Sequence, residues 1–283
     1  MHPARKIPSP VFLILLLGLP LASHGQINQA VPSGTTSSSE QVQVGPPTVR
    51  HTDPPAASDT LENLEKRGDE LRAEKNYLDA LDYYRAALPK VPRDRRSALL
   101  NKIGITEMFM QRDRDSRKDL EQAIKADRKN ADAHNNLGVI HYKQKDYSGA
   151  IKLYRKAIAL RGDSASFYSN LGTAYFARQE FENATQAYSQ AVQLDPDVFE
   201  RISRNGITAQ MASPADRARY FFVLARLYAS TDQPERALQY LRRSMEEGYK
   251  DIGKVYSEKE FAQLRKDARF TELMAAKPAP IPE

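Results

Sequence analysis

The chain contains no cysteine and no tryptophan. Without cysteine there is no disulfide, no thiolate nucleophile, no cysteine-based zinc site and no lipidated cysteine. Any core must therefore hold by packing alone. Long hydrophobic runs are scarce as well. Only Val11 to Leu19 is nearly unbroken and apolar, which is much shorter than the about 20 residues a membrane span needs. The 17 prolines gather toward the two ends, which predicts one ordered block between disordered flanks. Charge is not segregated either. The formal charge is +6, yet basic residues alternate with acids, as in Arg93-Asp94-Arg95-Arg96 and Arg112-Asp113-Arg114-Asp115. A strong nucleic-acid binder would show a basic face. The mixed pattern reads instead as solvated helix surface, and no nucleic-acid partner is expected.

Residues 1–25 read as a signal peptide. Arg5 and Lys6 form a short positive start, Gly18 and Pro20 interrupt the end of the apolar run, and Ser23 and Gly25 are small residues before a cut at Gln26. An uncleaved anchor is the rival reading. Cleavage would leave a charge of +4, no membrane span and an exported chain, periplasmic or secreted. Residues 26–60 are rich in Ser, Thr, Pro, Gln and Gly. Thr35 to Ser39, Pro46-Pro47 and Pro54-Pro55 show no helix or strand period, so this stretch reads as a flexible tether.

The middle of the chain repeats itself. Gly68, Gly104, Gly138 and Gly172 recur at intervals of 36, 34 and 34 residues. Twelve residues after each stands a small residue: Ala80, Ser116, Ala150, Ala184. Four further on stands a large one: Tyr84, Leu120, Tyr154, Tyr188. Three beyond that is alanine: Ala87, Ala123, Ala157, Ala191. A later copy has Ala225, Ala237, Leu241 and Ser244 in the same columns. Within each copy two apolar-periodic stretches flank a short polar break such as Gln144-Lys145-Asp146. That pattern predicts two antiparallel helices joined by a tight turn. Small residues let the two backbones approach, and large ones fill the space beside them. One such hairpin cannot bury its apolar face alone, whereas a stack can.

Asn136-Leu137-Gly138, Tyr147, Ala150, Tyr154 and Ala157 together resemble the tetratricopeptide repeat. So do Tyr168, Asn170-Leu171-Gly172, Tyr175, Phe181, Ala184, Tyr188, Ala191 and Pro196. The resemblance spans residues 61–251, as copies at 61–94, 97–130, 131–164, 165–198 and 218–251, with an insert at 199–217. In the first copy Gly68, Leu71, Tyr77, Ala80, Tyr84, Ala87 and Pro92 fit, and Arg67 replaces the usual leucine. In the second, Glu107 and Asp113 stand where aromatics are usual, which predicts weaker packing. The resemblance implies an all-α, right-handed superhelical solenoid. Gly248-Tyr249, Phe261, Leu264-Arg265, Asp267-Ala268-Arg269-Phe270 and Leu273 resemble the closing module of bacterial repeat proteins. On that basis 252–276 is expected to be a helical cap, 277–283 a disordered tail, and the setting a bacterial envelope.

No catalytic, cofactor or metal site stands out. His134 and His141 lie seven apart on one helix, about 10 Å, whereas two zinc ligands on a helix usually sit four apart. Both occupy columns where the next copy has Tyr168 and Tyr175, so they read as packing residues. Glu62, Glu65, Asp69 and Glu70 gather on the first helix without a nucleophile, and no acid-base or triad arrangement can be named. Asn183-Ala184-Thr185 fits a glycosylation acceptor, but Ala184 is a core column.

In the family the first helix of each pair lines a concave groove for a peptide or partner helix. The resemblance places Asn101, Lys102, Ile105, Asn135, Asn136, Val139, Tyr142, Ser169, Asn170, Thr173 and Phe176 on that surface. Asparagine both donates and accepts, so it can pair with an extended backbone, and Asn136 and Asn170 stand in equivalent columns. One subfamily clamps the C-terminal carboxylate of a cytosolic chaperone. Here Glu65 and Asp69 take the places of its lysine and asparagine, and two acids would repel that ligand. The function expected is non-catalytic binding of a protein or peptide outside the cytoplasm. The alternatives are a homo-oligomeric scaffold whose groove another copy fills, or a non-catalytic subunit of an envelope enzyme complex.

Overall fold

The computed structural model describes Arg50, residues 52–200 and residues 213–276. The expected signal peptide, most of the tether, the middle of the insert (201–212) and the tail lie outside the described residues. Ten helices form five antiparallel hairpins: α1 (Leu61–Ala73) with α2 (Tyr77–Ala87), α3 (Arg93–Phe109) with α4 (Asp113–Ala126), α5 (Ala131–Lys143) with α6 (Tyr147–Leu160), α7 (Ala165–Ala177) with α8 (Phe181–Leu194), and α9 (Pro214–Ser230) with α10 (Pro234–Glu246). Each hairpin packs on the next. The chain is an all-α solenoid, with no strand among the described residues and no helix there long and apolar enough to cross a membrane.

The repeating columns form the seam of each hairpin. Ala80, Ser116, Ala150, Ala184 and Ala237 are fully buried, as are Ala87, Ala123, Ala157, Ala191 and Ser244. The large side chains of the seam cover the glycines. A Cβ on Gly138 would lie 2.6 Å from the Tyr154 ring, and one on Gly104 would lie 2.7 Å from Leu120. Either contact is too close for real atoms, so the ring or branched chain needs glycine beneath it. In the fifth hairpin the same columns hold Ala225 and Leu241, both fully buried.

The turns repeat as faithfully as the seams. Lys75, Gln111, Lys145, Gln179 and Asp232 all take positive φ, between 55° and 67°. Each follows the last turn of a first helix, and the next amide reaches back to close it. Asn76 N bonds to Leu71 O at 2.8 Å, Asp146 N to His141 O at 3.0 Å, and Gln233 N to Tyr228 O at 2.9 Å. This left-handed closure is usually given to glycine. Here a polar side chain tolerates it five times, because the same backbone bond holds every copy. At several starts a side chain caps the helix. Asn130 accepts from Ala133 N, Asp146 from Gly149 N, and Ser213 from Asp216 N with Pro214 following.

Three boundaries differ from expectation. α3 begins at Arg93, one turn before the repeat start at 97, while α9 begins at Pro214, where Ser213-Pro214-Ala215-Asp216 reads in sequence as a helix start. Residues 52–60, expected to be tether, lie along α2. Thr52 donates to Asp79 at 3.2 Å, the Tyr83 hydroxyl to Asp53 O at 3.3 Å, and Lys90 to Ala57 O at 3.1 Å. Buried Asp79 is the anchor that the Ser/Pro composition concealed. Finally, 252–276 is not uniformly helical. It forms three short 3-10 turns (Ile252–Tyr256, Lys259–Phe261, Leu264–Lys266) and α11 (Ala268–Ala276). Val255, Phe261, Leu264, Phe270 and Leu273 are buried in the core shared with α9 and α10.

Candidate functional site

The first helices α3, α5 and α7 lie side by side, and four asparagines join them. Asn170 Nδ2 donates to Asn135 Oδ1 at 3.0 Å, Asn135 Nδ2 to Asn136 Oδ1 at 3.2 Å, and Asn136 Nδ2 to Asn101 Oδ1 at 3.0 Å. The amide relay thus crosses three hairpins. Asn135, Asn136 and Asn170 are 2–4% exposed, while Asn101 is half-buried. These amides were expected to face a ligand; instead three of them satisfy one another inside the stack. Removing one amide strands a buried partner, at a cost of about 1–3 kcal/mol.

The remaining expected residues divide by exposure. Val139, Ser169 and Phe176 are buried, and the Phe176 ring lies 5.4 Å from Phe181 and 5.8 Å from Tyr220. Lys102, Ile105, Tyr142 and Thr173 remain partly exposed. Lys102 Nζ lies 2.7 Å from Asp69 and 4.0 Å from Glu65, so the acids of α1 offset its charge. The Tyr142 ring rests 5.3 Å from Tyr147, and burial pushes its hydroxyl up to about 12. Thr173 donates to Ser169 O at 2.9 Å and accepts from the Tyr188 hydroxyl at 3.3 Å. Phe176 is therefore a core residue. Asn101, Lys102, Tyr142 and Thr173 form the accessible row.

The two histidines have separate partners. His134 Nε2 lies 3.1 Å from Arg128 O, and His141 Nδ1 lies 2.7 Å from Asp146. Two backbone and side-chain donors, Gly149 N and then His141, hold the Asp146 carboxyl below the usual range. This acid caps α6 and ties it to α5.

Sequence reasoning missed how the acids in aromatic columns are used. Glu107 is buried and pairs with Arg85 of α2, which also reaches Asp119 at 3.2 Å. Burial first, and then the Asp119 charge, push Glu107 up to about 7 against the pull of Arg85. Its Oε2 accepts no hydrogen bond. Asp113 pairs with Lys143 of α5. Both acids bridge neighbouring hairpins. The available signal was a basic residue in the neighbouring copy in each case, but sequence distance alone does not pair them.

Sequence models of the tetratricopeptide repeat match residues 101–165, 165–198 and 218–247. No curated protein matches the chain. Among solved structures it is similar to TTC0263, a thermophilic TPR protein in Thermus thermophilus, at 18% identity over 76% of this chain and 100% of that one, with a TM-score of 0.46. It is also similar to MamA from Desulfovibrio magneticus RS-1, at 17% identity over 72% of this chain and 100% of that one, with a TM-score of 0.47. A third is YrrB, a TPR protein with an unusual peptide-binding site, at 16% identity over 77% and 92%, with a TM-score of 0.44. The hairpin at α1 and α2 repeats the seam and the turn of the matched segments. Residues 101–198 and 218–247 are tetratricopeptide repeats, and they make this chain a tetratricopeptide-repeat protein.

Proposed function

We propose that the chain is a non-catalytic protein-interaction scaffold of the cell envelope or exterior. Its ligand is an extended peptide or a helix lying along α3, α5 and α7. The observation that carries this reading is a partly exposed row that begins at Asn101, Lys102 and Ile105 on α3, where the buried amide relay from Asn170 ends. Tyr142 and Thr173 continue the row with an aromatic edge and a hydroxyl. A surface of this kind pairs with a backbone through few polar contacts and excludes water with apolar ones. Glu65 and Asp69 disfavour a carboxylate terminus at the α1 end. The location rests on the charge and apolar pattern of residues 1–25.

The test is site-specific photocrosslinking in the source cell. A benzophenone amino acid at Tyr142 should give a discrete protein adduct, and the same group at Lys152, on the exposed side of α6, should not. Adducts at position 152 alone would move the partner to the opposite face and end this reading.

A further inference from the structure

The inner face of α9 differs from those of α5 and α7. Phe222, Val223 and Arg226 occupy the columns that hold Ser169, Asn170 and Thr173 on α7. Where α5 and α7 meet neighbouring first helices there, α9 meets a later part of its own chain. Tyr249 stacks on Phe222 at 4.5 Å, and Phe261 meets the same ring at 5.5 Å. Between them in sequence, Glu258 places Oε2 3.8 Å from the Arg226 guanidinium. Phe222, Val223 and Phe261 are all buried.

This occupant is held unevenly. The rings stack closely, but the carboxylate is poorly served. Glu258 Oε2 is buried and accepts no hydrogen bond, and Arg226 Nε donates none, while Arg226 Nη2 donates to Thr185 Oγ1 at 2.9 Å and lies 3.6 Å from Glu182. At 3.8 Å the pair attracts without bonding. Burial pushes the Glu258 carboxyl up, as expected for an acid removed from water without compensation. The backbone runs in 3-10 turns, whose hydrogen-bond geometry is poorer than that of an α-helix. Arg265 ties the segment chiefly to itself, donating to Val255 O and Glu258 O at 2.8 and 2.9 Å.

We propose that the inner face of α9 is a second binding site, specific for a protein segment that flanks a carboxylate with aromatic side chains. Residues 249–261 are its resident occupant. A partner segment whose carboxylate reaches Arg226 in two-point geometry replaces them. The resident acts at high effective concentration because it is tethered, so the site opens only to a segment that binds Arg226 better. The inference does not depend on the row along α3, α5 and α7, and its probe reports only on α9.

The experiment uses the full chain and a fluorescent synthetic peptide with the sequence of residues 249–262. Phe261→Ala removes the ring that anchors the resident and should raise peptide affinity at least tenfold over the wild type. Hydrogen exchange should quicken at residues 252–266 and stay unchanged in α1 to α8. Phe261→Leu keeps an apolar side chain and should give the same sign with a smaller change, should Phe261→Ala unfold α9. A peptide with Glu258 replaced by Lys should bind the variants at least tenfold more weakly. Equal affinity for wild type and both variants would overturn the proposal, as would equal binding of the two peptides.

Discussion

Between the first and second hairpins many contacts are ionic. Arg85 reaches Glu107 and Asp119, Arg95 reaches Glu65 at 3.0 Å, and Lys102 reaches Asp69 at 2.7 Å. Between the fourth and fifth, aromatic packing joins the ion pairs of Arg226 with Glu182 and of Arg236 with Asp197 and Glu200. Tyr220 of α9 lies 5.8 Å from Phe176 and 6.0 Å from Tyr188, and Tyr188 lies 5.1 Å from Phe199. The apolar core divides accordingly. Leu64 through Met110 form one cluster, and a separate larger one runs from Met108 to Leu273. The seams within hairpins are alike at both ends, so the repeat fixes the hairpin and leaves the junctions free. Ring packing gains from burial and is insensitive to pH. An ionic junction carries desolvation costs that change with protonation.

The largest effect should come from the aromatic junction. Tyr188→Ala removes a fully buried ring that touches Phe199 and Tyr220, and should lower stability by about 3–5 kcal/mol in urea unfolding. The loss should reach α9 and α10, since stacked repeats share stability with their neighbours. An unchanged urea midpoint would mean that the rings do not join these hairpins.

The ionic junction should reveal itself through pH. The Glu107 carboxyl is raised to about 7 in the folded chain, above its value of about 4.3 when unfolded. The folded state then binds more protons than the unfolded state between those values. Stability from this group is fully present below the lower value and falls as pH rises to about 7. The loss should be on the order of 1–3 kcal/mol. Glu107→Gln should flatten that slope in unfolding curves taken from pH 4 to 8. A slope that survives the substitution would assign the titration to another group.

The smallest effect should come from the exposed end of the same junction. Arg95 is half-exposed where it meets Glu65, so Arg95→Ala should cost less than about 1 kcal/mol, and less still in high salt. A larger, salt-resistant loss would mean that the hairpins meet through Arg95 packing rather than charge.

The five hairpins were legible in the sequence because side-chain size at a fixed column is a local property. Gly138 under Tyr154 needs no knowledge of the rest of the chain. The turns were legible only as polar breaks. Their left-handed residues are Lys, Gln and Asp, which carry no glycine signal. Of the expected binding row, Asn101, Lys102, Tyr142 and Thr173 remain accessible. Asn135, Asn136, Asn170 and Phe176 went inward because their neighbours on adjacent first helices approach closely, a distance that column position does not encode.

Residue spacing by itself determined the repeat, its register and the antiparallel pairing of helices, since each depends on contacts within about one repeat length. Tertiary structure decided what each surface column does. It turned equivalent asparagines into a buried relay, matched Glu107 with Arg85 across a junction, and laid Tyr249 and Phe261 over Phe222. All three depend on how one hairpin leans on the next or how the chain returns. Those angles arise from the packing of whole hairpins, so no single repeat specifies them.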